Sequence, residues 1–562
     1  MSEFKTPGVF IEEIPKFPPS VAQVETAVPS FIGYTETALD KNKKTLKMVP
    51  TKISSLMDYE TYFGKAKKES IQLKDTEDQG LTLVKPNVKF LMYYSLQMYF
   101  ANGGGPCYIV SVGGYDGGVN KSDLKLGLDA SALQEESTIV VFPDATSLTQ
   151  QEEFYAIYQD ALVQADDLKN RFLIMDTFRG ESKTKEPVAG ADSPLDTVGY
   201  LRHKIATTMH AAAYFPHLKT VLNYSFDEKA VIDHAGLQLA NAPGNFFADA
   251  AADLGALSSL ASAELEDATP EEPADTKELI GIIKSAIAIV ENVNVTADSK
   301  VSLVDAQTYL QYLKSGTADD EAIIGILAAL KTAVEGAEDK KGDANGLKLD
   351  ALKTTNSALY NQIKKVIAEL NVVLPPSSTM AGVYAKVDGT QGVWKSPANL
   401  GLNYVIAPTE KISDKEQESL NVNPSGKSVN AIRTFTGKGN LVWGARTFDS
   451  ENTEWKYISV RRLFDMIEKS VQNAMQRFVF ETNDANTWVK AKAMIENYLN
   501  QLWMSGALAG TTPEQAYYVI VGKETTTAQD VLEGRMNIEI GMAAVRPAEF
   551  IVLNFSHKIQ ES

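Results

Sequence analysis

Two glycine-containing runs in the sequence are of the type that can bind phosphates. The nearest approach to a phosphate-binding loop is Ser425-Gly426-Lys427-Ser428. Such a loop requires a glycine five positions before its Gly-Lys pair, and Asn421 stands there. The glycines at 103–105 follow a predicted helix instead of opening one, which is typical of a helix C-terminus and turn. Neither run predicts a nucleotide-binding site.

The histidines and the one cysteine also lack the neighbours that chemistry requires. His203, His210 and His217 are spaced by sevens, but Pro216 interrupts a shared helix and no carboxylate falls at ligand spacing beside them. Cys107 lies in an apolar run, where a thiol serves as a small hydrophobe, and a single cysteine excludes an internal disulfide. No G-x-S-x-G turn is found. We therefore predict no catalytic, cofactor-binding or metal-ligating residue.

Composition excludes several classes of function. The 562 residues carry 54 Lys plus Arg against 72 Asp plus Glu, a formal charge of −18, which disfavours nucleic-acid binding. The hydrophobic fraction of 44% is typical of a globular protein, and the length predicts about three or four compact units. No basic N-terminus with an apolar stretch is present. We expect synthesis in the bacterial cytoplasm and no direct membrane insertion.

Alternating helices and buried strands predict an α/β layer in the first 225 residues. The predicted strands are 107–112, 139–142 and 172–175, and the predicted helices are 88–101 and 151–165. After residue 371 the chain returns to mixed α/β. There we predict a strand at 381–387, amphipathic helices at 457–480 and 486–503, and a strand at 517–521.

The middle of the chain has a different composition. Residues 225–345 hold 22 acidic against 8 basic side chains. Alanine-rich segments of helical period occur near 276–292, 299–314, 319–335 and 347–370. We read this region as an inserted helical domain that is a solvated decoration or, alternatively, a binding surface for a membrane or accessory protein. Deleting 244–350 should leave polymerisation intact on the first reading.

Both chain ends read as strands without a partner in the same chain. The linker 15–29 between the first strand and the body contains several prolines and can span up to about 45 Å at roughly 3.3 Å per residue. Unpaired strand ends are an aggregation hazard unless they pair with another molecule. The predicted inter-subunit strand residues are Gly8, Val9, Phe10, Ile11 and Glu12 at one end, and Phe550, Ile551, Val552, Leu553, Asn554 and Phe555 at the other.

Blocks spread along the chain resemble the sheath proteins of contractile phage tails and phage-like injection systems. The resemblance covers about residues 4–225 and 351–555 and is densest in the C-terminal half. Its blocks are Pro7 to Glu13, Phe31-Ile32-Gly33, 88–112, Tyr214-Phe215-Pro216, Pro375-Pro376-Ser377, 381–385, 392–399, Ile432-Arg433, Val442 to Thr447, Tyr457 to Phe464 and Arg546 to Phe550. The acidic middle is not covered.

The resemblance implies a fold and an assembly. The fold would be α/β and α+β multidomain, with a mixed-sheet core completed by the terminal arms of neighbouring subunits and an inserted, mostly helical outer domain. Subunits would stack as six-fold rings around an inner tube and contract, with baseplate and terminator or cap proteins as further partners. We divide the chain into an N-terminal arm and linker (1–30), an α/β region (31–242), the insertion (243–350), the C-terminal core (351–545) and a C-terminal arm (546–562).

Three questions remain open at this level. The sheath that the resemblance implies would belong to a phage virion tail or to an injection particle, which could be extracellular or anchored in a cell. Two remoter alternatives are a structural protein that forms flat lattices and a nucleotide-dependent enzyme. Arg461 and Arg462 open a helix and could bind an anion or an acidic group of a partner, but we expect ion pairs within or between subunits. Lys523 and Arg535 flank a short predicted helix at 527–534, which contacts the inner tube or packs on its own sheet.

Overall fold

The computed structural model describes residues 21–76, 78–183, 185–186, 195–236 and 341–553. The chain divides into two compact units, one built from 1–67, 88–222 and 371–562, the other from 68–87 and 223–370. The predicted strand at 8–12, the tail residues Asn554 and Phe555, and the predicted helices between 276 and 335 lie outside the described residues.

Strands and helices are numbered here in chain order over the described residues. The strands are β1 Pro29–Tyr34, β2 Thr51–Ile53, β3 Gln72–Thr76, β4 Gly80–Leu83, β5 Cys107–Gly113, β6 Ile139–Val141, β7 Phe172–Met175, β8 Lys185–Glu186, β9 Leu195–Asp196, β10 Ala211–Phe215, β11 Leu218–Asn223, β12 Asp233–Ala235, β13 Asn371–Leu374, β14 Val405–Pro408, β15 Val429–Phe435, β16 Gly439–Trp443, β17 Tyr517–Val521 and β18 Ile538–Met542. The helices are α1 Leu56–Phe63, α2 Met92–Ala101, α3 Lys121–Ser131, α4 Gln151–Leu168, α5 Thr197–Lys204, α6 Leu349–Thr355, α7 Ser357–Glu369, α8 Ser377–Gln391, α9 Asp414–Asn421, α10 Ile458–Met475, α11 Ala485–Met504, α12 Pro513–Ala516 and α13 Ala528–Leu532.

An eight-stranded sheet organises the first unit. Its order is β16-β15-β10-β7-β6-β1-β5-β2, and the six inner strands run parallel while β16 and β2 are antiparallel edges. Regions 31–242 and 351–545 of the sequence both contribute strands to it. Parallel strands must be covered on both faces, which explains the continuous apolar runs of β6, β7 and β10. The predicted mixed α/β class is confirmed.

Alternate side chains of β1 enter different cores. Phe31 packs edge-on against Tyr99 of α2, with ring centroids 5.0 Å apart, in a core that α8 shares. Ile32 belongs to the opposite core, which contains residues of α3 and α4 such as Leu124 and Phe154. The sheet therefore separates two helical layers, as the period of two requires.

Two buried aspartates at the carboxyl ends of parallel strands hold helix N-termini. Asp144, just after β6, accepts hydrogen bonds from the backbone amides of Tyr34, Leu91 and Met92. Asp176, just after β7, accepts from the amide and hydroxyl of Ser377 at 2.8 and 2.6 Å. Burial raises the pKa of Asp144 to about 7 and that of Asp176 to about 6, against the lowering effect of these donors.

Several predicted elements match the structure. The strand at 172–175 is confirmed, and so are the strand at 517–521 and the helices at 151–165, 457–480 and 486–503, with small differences at their ends. The helix predicted from residue 88 begins at Met92 instead, because Asp144 captures the amides of residues 91 and 92.

The predicted strand at 381–387 is wrong, since these residues lie in α8. Most of α8 up to Tyr384 is buried all round, so the helical period is missing from its sequence. Gly382 marks its tight packing on α2, where an added Cβ would lie 2.4 Å from the Tyr99 carbonyl oxygen.

The described part of the second unit is a three-stranded sheet, β12-β3-β4, with two helices, α6 and α7. The helix predicted at 347–370 is divided into α6 and α7 at Asn356, whose side chain caps α7 by accepting from the Leu359 amide. Residues 341–350, which the sequence division assigned to the insertion, pack here: the Gly342 amide donates to the His234 carbonyl at 2.8 Å, and Leu349 is fully buried. Over the described ranges, no helix combines the length and apolarity needed to cross a membrane.

Candidate assembly interface

The described chain ends in a run of exposed apolar side chains. Phe550, Ile551, Val552 and Leu553 are 71%, 80%, 80% and 71% exposed and belong to no helix or strand. Burying such side chains stabilises by about 1.5–3 kcal/mol each. Four in succession left in water are therefore a surface that another partner can cover.

This tail is anchored immediately before it becomes exposed. Glu549 receives two charged hydrogen bonds from Arg446, at 2.6 Å from Nη2 and 3.0 Å from Nε, and the two side chains are only 16% and 6% exposed. The Tyr457 hydroxyl also donates to Glu549 at 3.4 Å, while Arg446 Nη1 donates to the Asn421 carbonyl. A bidentate pair of this kind fixes the orientation of the carboxylate as well as its position.

The N-terminal side of the described chain is anchored in a similar way. We call residues 21–28 the N-terminal strap. Thr26 donates from its hydroxyl to Asp388 at 2.6 Å and accepts at its carbonyl from Arg462 at 2.9 Å. The Val24 amide donates to the Ser470 hydroxyl at 3.0 Å, and Val21 and Val28 are buried. The flexible linker expected at 15–29 therefore does not extend through the strap.

Both arginines of the Arg461-Arg462 pair form ion pairs within this chain. Arg462 contacts Asp388 at 2.6 Å, with the two side chains 5% and 6% exposed, and Arg461 contacts Asp465 at 2.7 Å. Burial favours the neutral form of Arg462, but the Asp388 carboxylate outweighs it and the pKa of Arg462 is raised above its ordinary value. The expected ion pairs are confirmed within the subunit.

A small sheet near the C-terminus offers open edges. β17 and β18 pair antiparallel from Tyr517 opposite Met542 to Val521 opposite Ile538. Val519 is buried against α11, whereas Tyr518 is 51% exposed. No third strand joins this pair within the described ranges. Sequence reasoning missed β18, although the alternation of Ile538, Ile540 and Met542 is the signal that would have found it.

The short helix predicted near the tube-contact candidates exists as α13, capped by reciprocal hydrogen bonds between Thr527 and Asp530. Arg535 contacts Asp530 and Glu533 at 2.9 and 2.5 Å, so its charge is largely balanced by its own segment. Lys523 is exposed. Of the two candidates, only Lys523 presents a positive charge without such neighbours among its described contacts.

The residues first considered for chemistry do not form a site. His203 lies in the last turn of α5, whereas His210 and His217 flank β10, so the three share no helix. Burial raises the pKa of the Cys107 thiol, which disfavours the reactive thiolate. Lys427 donates to the Arg202 carbonyl at 2.6 Å and is engaged within the fold. Over the residues with described positions, no group of three or more acidic, histidine or cysteine side chains is arranged to hold a metal.

Comparison with known proteins agrees with the resemblance seen in the sequence. A family model described as the phage tail sheath C-terminal domain matches residues 450–558. The tail sheath protein of Vibrio phage KVP40 is 26% identical over 191 residues, which are 32% of this chain and 26% of that protein. The tail sheath protein of Salmonella phage ViI is 31% identical over 139 residues, or 24% of this chain and 21% of that protein. The aligned segments thus span about a quarter of the phage proteins.

A solved structure extends the likeness over the whole length. The helical sheath of the anti-feeding prophage in its contracted state is 26% identical, with 99% of this chain and 100% of that chain covered and a TM-score of 0.54. Sequence blocks, a matching C-terminal domain and a shared fold all point the same way: this chain is similar to the sheath proteins of contractile phage tails and contractile injection systems.

Proposed function

We propose that this protein is the structural subunit of a contractile sheath. Subunits polymerise as stacked six-fold rings around an inner tube, and contraction of the sleeve drives the tube through a target envelope. The observation that carries this proposal is the exposed apolar run Phe550–Leu553, which starts next to a buried anchor, in a chain whose β17–β18 sheet has open edges.

Strand donation supplies the bond between subunits. The tail of one subunit and residues 8–12 of another add to the β17–β18 sheet of a third by main-chain pairing. A donated strand with about five hydrogen bonds of about 0.5–1.5 kcal/mol each, plus two side chains buried on one face, forms a joint of roughly 5–13 kcal/mol before ordering costs. Repetition along the sleeve makes many such joints cooperative.

Contact with the inner tube involves the segment around α13. Because Arg535 is already balanced by Asp530 and Glu533, Lys523 is the stronger candidate for an acidic partner surface. Lys523→Glu should weaken co-assembly of sheath with tube more than Arg535→Glu does. Equal co-sedimentation of both variants with tube protein would remove this contact from the proposal.

The remaining parts follow from the sleeve. Baseplate and terminator or cap proteins bind its two ends, and the acidic insertion faces solvent. Assembly occurs in the bacterial cytoplasm, and the final location is a phage tail or an injection particle. Contraction draws on energy stored at assembly: the extended sleeve is metastable, and calorimetry of triggered particles should record heat release.

Electron microscopy of the purified protein tests the function directly. A sheath subunit forms hollow, striated tubes of contracted sleeve at high protein concentration. Flat lattices would identify a surface-layer or shell protein instead, and particles that stay dispersed at all concentrations would contradict a polymer-forming role.

A further inference from the structure

Both arm roots are held at the start of one helix. Residues 445–447 pair with 456–458 through main-chain hydrogen bonds, from the Thr447 amide to the Lys456 carbonyl and from the Ile458 amide to the Ala445 carbonyl. This ribbon brings Arg446, which binds Glu549, close in space to the N-terminus of α10. Arg462, which holds the strap at Thr26, lies one turn into the same helix.

We propose that Arg446 and Arg462 are positioning residues that make the two arm roots a single rigid frame, so that the arms pivot only outside residues 21–549. This inference rests on the proposed exchange of arms between sheath subunits. It assigns the movement in contraction to short segments beyond the anchors and keeps the separation of the two roots constant within each subunit.

The chemistry of the anchors favours fixed roots over sliding ones. Each arginine fork contacts a carboxylate at 2.6 Å, and each pair is almost fully withdrawn from water. Detaching the C-terminal root removes Glu549 and leaves the buried Arg446 without its carboxylate, which is strongly disfavoured. Detaching the strap leaves the Arg462–Asp388 pair in place but breaks the two hydrogen bonds that Thr26 makes with it, at 2.6 and 2.9 Å. By contrast, the side chains of residues 550–553 lie in solvent.

The frame also shortens the N-terminal linker. With residues 21–28 held to the body, only 15–20 remain between the predicted strand and its anchor. Six residues span at most about 20 Å, less than half of the reach of about 45 Å for a linker over 15–29. If the donated N-terminal strands stay paired during contraction, the strap of each subunit must remain within this shorter reach of the subunit that receives its strand.

Distance measurement between spin labels tests the frame in the full chain. Labels on Gln23→Cys and Ala548→Cys sit at exposed positions beside the two anchors and inside the proposed frame, and Cys107 can stay because it is buried. We expect one narrow distance distribution, unchanged between the monomer and labelled subunits diluted into polymer. A broad distribution in the monomer, or a different distance in the polymer, would overturn the rigid frame.

Hydrogen exchange separates anchoring from general stability. Glu549→Gln should raise exchange of the Val545 amide, which donates to the Ala507 carbonyl at 3.3 Å just before the anchor, by about tenfold, because a hydrogen bond between charged groups exceeds the roughly 1.4 kcal/mol per factor of ten. Sheet amides in β6 and β7 should keep their protection. Glu524→Gln, an equal charge change at an exposed site, is the matched control.

Thr26→Val keeps every charge and nearly the same shape, so it tests the N-terminal root with the body intact. It should raise exchange in the strap alone. If neither Glu549→Gln nor Thr26→Val changes local exchange, the anchors do not position the arms. If the wild-type chain forms no polymer at all, the proposed function fails, whereas the monomer distances still report on the frame.

Discussion

A proline in the exposed tail should weaken assembly strongly without affecting the folded subunit. Ile551 and Val552 are each 80% exposed, and neither amide donates a hydrogen bond within the part of the chain that the structure describes. Ile551→Pro or Val552→Pro should therefore change the free energy of unfolding of the monomer by less than about 0.5 kcal/mol.

The same substitution has a large effect on a donated strand. Proline removes one ladder hydrogen bond of about 1 kcal/mol and leaves its acceptor unsatisfied at a cost of about 1–3 kcal/mol. The joint between subunits then weakens by about 2–4 kcal/mol, which raises the protein concentration needed for polymerisation by roughly 30- to 1000-fold.

Sedimentation of polymer over a concentration series, with thermal unfolding of the monomer, measures both effects. Val552→Thr is the matched control, because it keeps the backbone donor and the β-branched shape. Amides at 551 and 552 point to opposite sides of a strand. If the donated tail forms the edge of the receiving sheet, only one of the two amides pairs with a neighbouring strand, and only the proline at that position weakens assembly. If the tail lies between two strands, the proline weakens assembly at either position. Polymerisation of both proline variants at the wild-type concentration would refute strand donation by this tail.

Three further predictions concern the body of the subunit. The pKa values of Asp144 and Asp176 are raised from about 3.8 in the unfolded chain to about 7 and 6. In this pH range the folded state holds protons that the unfolded state releases. Chemical denaturation should therefore show that the free energy of unfolding decreases as the pH rises from 4 to 7, and the decrease should be smaller when Asp144 and Asp176 are both replaced by Asn. Gly33→Ala places a Cβ 2.4 Å from Asp144 Oδ2 and should destabilise by about 1–3 kcal/mol, whereas Gly389→Ala, in an open helical position, should stabilise by about 0.5–1 kcal/mol. Replacing 237–340 by a short Gly-Ser turn should leave the second unit resistant to proteolysis, because Ala235 pairs with Lys341, while deleting 244–350 should unfold it by removing buried Leu349.

The parts of the fold that were predictable are those whose periodicity reflects local burial. The strand Phe172–Met175 is a short apolar run, and α10 carries apolar residues on one face, such as Leu463, Ile467 and Val471. In α8, however, nearly every residue up to Tyr384 is buried by neighbours from other segments. Burial on all sides removes the pattern from which a helix is distinguished from a strand.

The anchors could not be predicted because their partners are far apart in the chain. Glu549 and Arg446 are 103 residues apart, and Arg462 and Thr26 are 436 apart. Periodicity reports on neighbours three or four residues away and carries no signal for such contacts. The high β propensity of the tail is a local property that the sequence shows directly, whereas its pairing with another subunit stays a prediction.

The C-terminal anchor joins two of the family-like sequence blocks. Val442 to Thr447 and Arg546 to Phe550 are separate in sequence, yet they meet through Arg446 and Glu549. A donated strand needs only alternating apolar residues and free backbone groups, which many sequences supply. A buried arginine fork accepts only a carboxylate in one orientation, so its residues tolerate few substitutions. The C-terminal root is therefore fixed by two distant segments of the chain, and their contact sets the direction in which this arm leaves the body.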